Sequence, residues 1–450
     1  MTRRPRRRDP LEAAIEVALL PGRFIASRAG WDFVSSLEGV AGQLAKLVPA
    51  DPERAVSLYE TFLAGCYEKA EELDDSGGNF GTFVASLYCG WIEARQAAGA
   101  DADATARWLL ERMENDSYGF AHTLEREAVN AMHKDGLAAF ERQVRARLEM
   151  KDAAAQASDS AHRRDPAYLR RRWGEVLRAV YVRRRDVRAY VALCEQSDLS
   201  AQDCLAVATM LKGKHKLDEA LAWVNRGLAV DRKHSHGSMA RYDLAKLKRE
   251  LLTKLGRAGD ALEEAWTEFR EHPSTLSYKE LMRFVPKAER AAWHAQAMDT
   301  AERADLGALI ELWLETREIE RLVKRLRTAT DAEIEELSHY QTEPVARRLG
   351  RSHPAVAARV YRALGMRILN AKKSKYYDAA LSHFENARRC YERAGLHREW
   401  AALVADVRGA HHRKAGFMID FERLAAGRAP SEAPSFLERA RSRWGARPGS

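Results

Sequence analysis

Residues 206–228 read AVATMLKGKHKLDEALAWVNRGL, and this stretch decides how the chain is expected to fold. Small residues stand at Ala208, Ala220 and Gly227, at intervals where two paired helices touch backbone to backbone. The stretch is rich in alanine, leucine and lysine, which favour helix. It therefore predicts a hairpin of two helices that pack through their small residues.

Two further stretches repeat parts of this pattern. The matching positions are Ala261 and Pro273 in residues 255–273, and Ala380 and Ala387 in residues 376–395. In the repeat that contains Ala261 and Pro273, the first position that the pattern reserves for a small residue is occupied by the charged Arg249. The pattern is typical of tetratricopeptide repeats, but the units do not follow the constant spacing of about 34 residues. We predict an all-α fold: an irregular, tetratricopeptide-like solenoid of antiparallel helix pairs.

Helix starts can be recognised where a capping residue stands directly before a proline. Asp51 is placed to cap a helix, Pro52 suits its first turn, and Glu53 suits the positive end of the helix dipole. The same reasoning predicts helix starts at Asp165–Pro166 and His353–Pro354.

Composition shifts suggest a division of the chain. Residues 150–164 are small and polar, and the tail contains APSEAPS and ends GARPGS. The predicted parts are a basic arm (1–10), an N-terminal helical domain (11–150), a linker (151–165), a helical-repeat domain (166–427) and a loosely ordered tail (428–450).

The composition narrows the class of protein. The 450 residues are 46% hydrophobic and 31% charged, with a net charge of +9 and a pI near 9.2, which favours acidic partners. Five cysteines are scattered without a CxxC or CxC pair, which argues against a disulfide framework or a cysteine zinc site. No run of 18 apolar residues appears, so no membrane span is expected.

The N-terminus begins like a signal peptide, with a basic segment followed by apolar residues. Glu12 and Glu16 interrupt the apolar segment, and Leu11, Ile15 and Leu19 have the spacing of an amphipathic helix. We therefore expect a cytoplasmic protein without membrane contact.

Several segments carry a resemblance to known families. They are GWDFVSSLEGVAGQLAKL, DPERAVSLYETFL, DDSGGNFG and NDSYGF in the first half, and DEALAWVNRGL, DALEEAWTEFREHPSTLSYKEL, YYDAALSHFENARRCYERAG and HHRKAGFMIDFERL in the second. The first half is similar to a helical domain of unknown function that is widespread in bacteria. The second half resembles the helical-repeat region that follows the zinc finger in bacterial SWIM zinc-finger proteins. Residues 12–424 are covered, but the CxC and CxH pairs of the finger are absent. The resemblance therefore implies a helical scaffold without the zinc or DNA binding of that finger.

The loop ELDDSGGNFGT raises the question of a ligand site. Counted from Asp74 or Asp75, the twelfth residue is not the glutamate of a calcium loop, and the glycines lack the lysine of a phosphate-binding loop. A turn explains the composition: a glycine ends one helix, and Asn79 or an aspartate caps the next. Asp74, Asp75 and Asn79 are kept as candidates for contact with a basic partner.

Metal binding and catalysis are not indicated. His234 and His236 alternate, with His215 upstream, but no further ligand is spaced to complete a zinc site. The sequence contains no GxSxG and no cysteine in a recognisable catalytic motif. We expect no cofactor, no metal and no enzymatic activity.

Arginine clusters are the strongest indication of a binding function. The candidates are Arg3, Arg4, Arg6, Arg7 and Arg8 in the basic arm, and Arg170, Arg171, Arg178, Arg183, Arg184 and Arg185 between residues 163 and 188. On a helix over residues 168–181, the first three of the latter group flank an apolar face and could follow phosphates. A solvated helix face followed by a turn explains the same residues.

Tryptophans lie mostly at positions typical of apolar helix stripes, so core packing is expected for them. The nine that precede the tail are Trp31, Trp91, Trp108, Trp173, Trp223, Trp266, Trp293, Trp313 and Trp400. A minority could line a concave groove for a partner.

The sequence as a whole predicts a non-enzymatic scaffold that holds a protein or peptide on its concave face. The alternative is a nucleic-acid-binding accessory protein that uses the arginines.

Overall fold

The computed structural model describes residues 9–20, 24–121, 124–154, 166–196, 199–233 and 238–428, without side chains at 150–154 and 166–169. The chain divides into two compact units at Leu251 and Leu252. Regular structure in these residues is helical. Their β pairing is limited to an isolated parallel bridge between Ile25 and Leu73.

The first unit contains the helices up to the boundary. They are α1 (Pro10–Leu19), α2 (Ser27–Leu47), α3 (Pro52–Lys69), α4 (Asn79–Ala97), α5 (Ala102–Glu114), α6 (Leu124–Ala131), α7 (Lys134–Ala154), α8 (Pro166–Arg184), α9 (Val187–Cys194), α10 (Ala201–Gly213), α11 (Leu217–Asp231) and α12 (Met239–Lys254), whose last turn lies past Leu251. A 3-10 turn, Ala70–Glu72, follows α3.

The second unit continues in the same manner. Its helices are α13 (Ala258–Glu271), α14 (Thr275–Phe284), α15 (Arg290–Ala301), α16 (Leu306–Thr316), α17 (Ile319–Thr328), α18 (Asp331–Glu336), α19 (His339–Leu349), α20 (Pro354–Asn370), α21 (Tyr377–Arg393), α22 (His397–His411) and α23 (Ala415–Ala425). Two 3-10 turns, Lys287–Glu289 and Ser374–Tyr376, precede α15 and α21.

The hairpin predicted from residues 206–228 is formed by α10 and α11. Ala208 and Ala220 are completely buried. A Cβ atom on Gly227 would lie 2.8 Å from the Cβ of Cys204, a distance that real Cβ atoms essentially never show. At Gly227 a residue without a side chain is therefore required by the close approach of neighbouring helices, and the two alanines are buried in the same pairing.

The same packing recurs in the second unit between α20 and α21. Ala380 and Ala387 are completely buried, and a Cβ on Gly365 would lie 2.6 Å from the ring of Phe384. The connection between the two helices is short, so they run antiparallel. The predicted all-α, tetratricopeptide-like fold of paired helices is confirmed within each unit.

Arg249 occupies the first small position of the repeat that contains Ala261 and Pro273. It is buried, with only 1% of its surface exposed. Ala261 of the same pattern is completely buried on α13. This repeat thus keeps the helical spacing of its buried positions, although one of them holds a long arginine side chain in place of a small residue.

The predicted helix start at Asp51 is confirmed, because its carboxylate accepts a hydrogen bond from the Arg54 amide at 3.3 Å. Pro354 also opens its helix, but His353 makes no side-chain capping bond. Its Nδ1 lies 3.0 Å from the Ser352 hydroxyl instead. Pro166 begins α8 as predicted, while Asp165 lies outside the described residues.

The predicted domain division stays a prediction. Residues 1–8, 155–165 and 429–450 lie outside the described residues, and they hold most of the arm, the linker and the tail. On either side of the linker, α7 and α8 pack against each other in the first unit. None of the described helices is long and apolar enough to cross a membrane.

Candidate functional site

The loop before α4 is held by Asp75. Its carboxylate oxygens accept hydrogen bonds from the amides of Phe80 at 2.9 Å and Gly81 at 2.8 Å. Gly78 has a φ of +70°, the left-handed conformation that glycine adopts without strain. Of the capping groups that the sequence allowed, the aspartate is the one that caps α4.

The other two candidates of this loop have different positions. Asn79 is the first residue of α4. Asp74 is exposed, and its carboxylate accepts a hydrogen bond from the Ser76 amide at 3.1 Å. Contact of these residues with a basic partner stays a prediction.

A buried aspartate holds a second loop, NDSYGF, near the first. Asp116 accepts hydrogen bonds from the amides of Phe120 and Ala121 and from the hydroxyl of Tyr67 at 3.2 Å. The Tyr67 hydroxyl lies 3.0 Å from that of Tyr88. Burial raises the pKa of both tyrosines, so both hydroxyls keep their protons and can take part in these hydrogen bonds.

Aromatic contacts join the two loops. The ring of Phe120 meets the rings of Phe80 at 5.5 Å and Tyr67 at 5.2 Å, edge to face. The Tyr118 hydroxyl donates to Glu71 at 3.0 Å. The loops DDSGGNFG and NDSYGF of the first unit therefore pack against each other. The sequence contained both motifs but no sign that they meet.

Two of the candidate arginines on α8 are engaged by carboxylates. Arg178 donates to Asp203 at 2.8 Å, and the hydroxyl of Tyr190 donates to the same oxygen at 2.9 Å. Arg184 forms an ion pair with Glu141 of α7. These guanidinium groups connect helices of the first unit.

The remaining arginine candidates are either exposed or lie outside the residues that the structure describes. Arg170, Arg171, Arg183 and Arg185 are exposed, and Arg185 has a left-handed backbone with a φ of 52°. The arm residues Arg3, Arg4, Arg6, Arg7 and Arg8 lie outside the described residues. Nucleic-acid contact by these arginines stays a prediction.

Of the three histidine candidates, the structure describes only one. His215 is exposed on the turn before α11, with a φ of 58°, while His234 and His236 lie outside the described residues. The described part of the chain contains no group of three or more side chains that could hold a metal ion.

The core packing expected for most tryptophans is met only in part: three of the nine are buried, five are half-buried and Trp31 is exposed. Trp91, Trp173 and Trp313 are at most 2% exposed, and Trp91 stacks on Trp108 at 4.0 Å. Trp31 is the exception, because 70% of its surface is exposed. The core role expected for Trp31 is wrong: its position on α2 faces away from the packed side of the helix.

Trp31 belongs to a group of exposed apolar side chains at the start of the chain, which we call the N-terminal apolar set. Its members are Val17, Leu20, Phe24 and Trp31, each between 65% and 70% exposed. Sequence reasoning missed this set. Its only signal was an excess of apolar residues over what one face of α1 and the start of α2 can bury.

A second feature that the sequence did not reveal is a cleft of about 730 Å³ in the second unit, the arginine cleft. It is lined by Ile319, Pro344, Arg347, Arg348, Arg351 and Ser352. These residues come from the start of α17, from α19 and from the turn that follows α19.

Comparisons with known proteins concern the family and the fold. The model of a family of unknown function, DUF6880, matches residues 23–419. The comparison with curated proteins gave no match. A solved structure described as Naa15/Naa10 bound to HypK-THB is similar to the chain at 14% identity and a TM-score of 0.31, covering 88% of this chain and 63% of that one. The chain thus spans less than two thirds of the length of that structure.

These comparisons do not bear on the resemblance to SWIM zinc-finger proteins, which stays a prediction. The predicted relation to a family of unknown function is confirmed, because the match extends over most of the sequence. The chain belongs to the family of unknown function DUF6880.

Proposed function

We propose that the chain is a non-enzymatic, cytoplasmic scaffold that binds another protein, and that the N-terminal apolar set contributes to the binding surface. The observation that carries this proposal is the exposure of four large apolar side chains within residues 17–31. Single exposed apolar residues are ordinary on a protein surface, whereas contiguous apolar patches are typical of surfaces that another protein covers. The short stretch of sequence that holds these four side chains supports such a patch.

The helices give this surface a firm support. Ile15 of α1 is 1% exposed, and Leu37 and Leu44 of α2 are completely buried. Both helices pack on α3, so Val17 of α1 and Trp31 of α2 project from helices with buried opposite faces. Pre-ordered side chains lose less conformational entropy on binding, which favours affinity.

Replacement of the aromatic members tests the proposal. We expect the double variant Phe24→Ser/Trp31→Ser to bind its partner at least about 30-fold more weakly, because aromatic anchors commonly contribute 2 kcal/mol or more. The measurement is affinity capture from the native host with the wild-type chain, identification of the retained protein, and titration of that purified protein against both chains.

A matched control comes from the second unit. Tyr340 and Ile419 are 80% and 61% exposed, and the variant Tyr340→Ser/Ile419→Ser removes a similar amount of exposed apolar surface. Unchanged affinity of this control, with native helix content in both variants, supports the assignment. Equal loss in both variants, or no loss in the first, contradicts it.

The second candidate function is nucleic-acid binding. The observation that favours it is the exposure of Arg183 and Arg185 at the end of α8, with Arg188 exposed on α9. Binding through phosphates weakens steeply with salt, because counterions are released. A labelled single-stranded oligonucleotide titrated at rising salt tests this function. A steep salt slope that Arg183→Gln/Arg185→Gln reduces supports it, and absence of binding at low salt contradicts it.

A further inference from the structure

We propose that the arginine cleft binds an acidic segment of a partner protein that carries an apolar residue beside its carboxylates. The inference rests on the proposed protein-binding function, but it concerns a different unit from the N-terminal apolar set. It starts from three guanidinium groups around one concave surface of about 730 Å³, a volume within the usual range of ligand-binding clefts.

The charges of this cleft are only partly balanced. Arg347 is paired with Glu343 at 2.5 Å, one helical turn earlier. Among the described residues, no carboxylate lies within ion-pair distance of Arg348 or Arg351, and both side chains are exposed. Two guanidinium groups therefore face the cleft without an internal counter-charge and can receive carboxylates in the two-pronged geometry that arginine favours.

The turn that carries Arg351 is contacted by side chains of two other helices, α21 and α17. Arg393 of α21 donates a hydrogen bond to the carbonyl of Gly350 at 2.5 Å. Two residues after Arg351, the Nε2 of His353 lies 3.4 Å from a carboxylate oxygen of Glu320 on α17. This support holds the backbone at Arg351 in place and leaves the guanidinium group free to bind.

The remaining lining decides between two kinds of acidic ligand. Ile319 and Pro344 supply an apolar wall, and Ser352 supplies a hydroxyl. Single-stranded nucleic acid is commonly held by aromatic side chains on which bases stack, and none lines this cleft. An aliphatic wall beside arginines instead matches a peptide in which carboxylates flank an apolar side chain.

Fluorescence anisotropy with the full chain tests the proposal. The probe is a fluorescein-labelled peptide with glutamates on both sides of one leucine, and the reference probe has glutamine in place of each glutamate. We expect the acidic probe to bind and the neutral one to bind at least about tenfold more weakly, since charge-assisted hydrogen bonds to arginine are lost.

Variants then locate the site. Arg348→Gln/Arg351→Gln should weaken the acidic peptide about tenfold or more, whereas Arg183→Gln/Arg185→Gln in the first unit changes the net charge equally and should have little effect. Equal weakening by both pairs, or none by the first, overturns the proposal. A labelled oligothymidylate that binds at Arg348 and Arg351 more tightly than the peptide also overturns it.

The two proposals fail separately. In one outcome, the variant Phe24→Ser/Trp31→Ser leaves the affinity for the captured partner unchanged while peptide binding still depends on Arg348 and Arg351. In that case the N-terminal binding surface is refuted and peptide binding by the arginine cleft is supported. If the captured partner depends on Trp31 and the acidic peptide does not bind, the cleft is wrong and the scaffold stands.

Discussion

The arginines of α8 and those of the arginine cleft differ in what the fold places beside them. Arg178 lies against the buried carboxylate of Asp203, and Arg184 is paired with Glu141. Arg348 and Arg351 face an open cleft without such partners in the described residues. A dense run of arginines in the sequence therefore does not identify where positive charge is available, because carboxylates distant in sequence neutralise part of the run.

The largest expected effect comes from removing Arg178, the arginine that is paired with a buried carboxylate. Arg178→Ala leaves Asp203, which is 4% exposed, without its counter-charge, so we expect a loss of about 3 kcal/mol in the free energy of unfolding. Arg348→Ala should change the free energy of unfolding by less than about 0.5 kcal/mol, because that side chain is exposed and no described carboxylate pairs with it. Urea denaturation of both variants measures the difference, and equal losses would break the comparison.

A second test uses pH. Burial opposes the charged form of Asp203, but hydrogen bonds from Ser200 and the charge of Arg178 outweigh it, so the pKa of Asp203 lies below its ordinary value of 3.8. The carboxylate therefore contributes stability that is fully present above about pH 3.8 and is lost as the pH falls through the folded-state pKa.

We accordingly expect Asp203→Asn to cost about 2 kcal/mol of unfolding free energy near neutral pH. The difference from the wild type should shrink as the pH is lowered below about 3.8. Denaturation at a series of pH values measures this, with Asp74→Asn at an exposed site as the control. A difference that grows on acidification would refute the assigned ion pair.

The smallest expected effect concerns Arg184, whose pair with Glu141 is more exposed than that of Arg178. Arg184→Gln should cost about 0.5 kcal/mol at low ionic strength, and salt should largely abolish the difference. Thermal unfolding at low and high salt tests this. A loss as large as that of Arg178→Ala would show that exposure does not distinguish the two pairs.

Helix pairing was predictable from the sequence, since it depends on local spacing. Ala208, Ala220 and Gly227 stand where the helices touch, and Asp51 caps α3 as its position before Pro52 predicts. Such features are specified by residues within one or two helical turns, so a single sequence contains the information.

The candidate site was less predictable, because it depends on residues that meet only after folding. Asp203 reaches Arg178 across 25 residues of sequence, and Glu141 reaches Arg184 across 43. Trp31 has the spacing of a core residue, yet 70% of its surface is left exposed by the part of the chain that the structure describes. Helical periodicity predicts which side chains share a face, but it does not state which faces remain uncovered.

Affinity capture from the native host, with and without nuclease treatment, tests most directly whether the chain binds a protein. We predict that the same protein is retained in stoichiometric amounts under both conditions and is lost from the Phe24→Ser/Trp31→Ser variant. Collapse of the captured material on nuclease treatment would contradict the scaffold function and assign the binding to the exposed arginines.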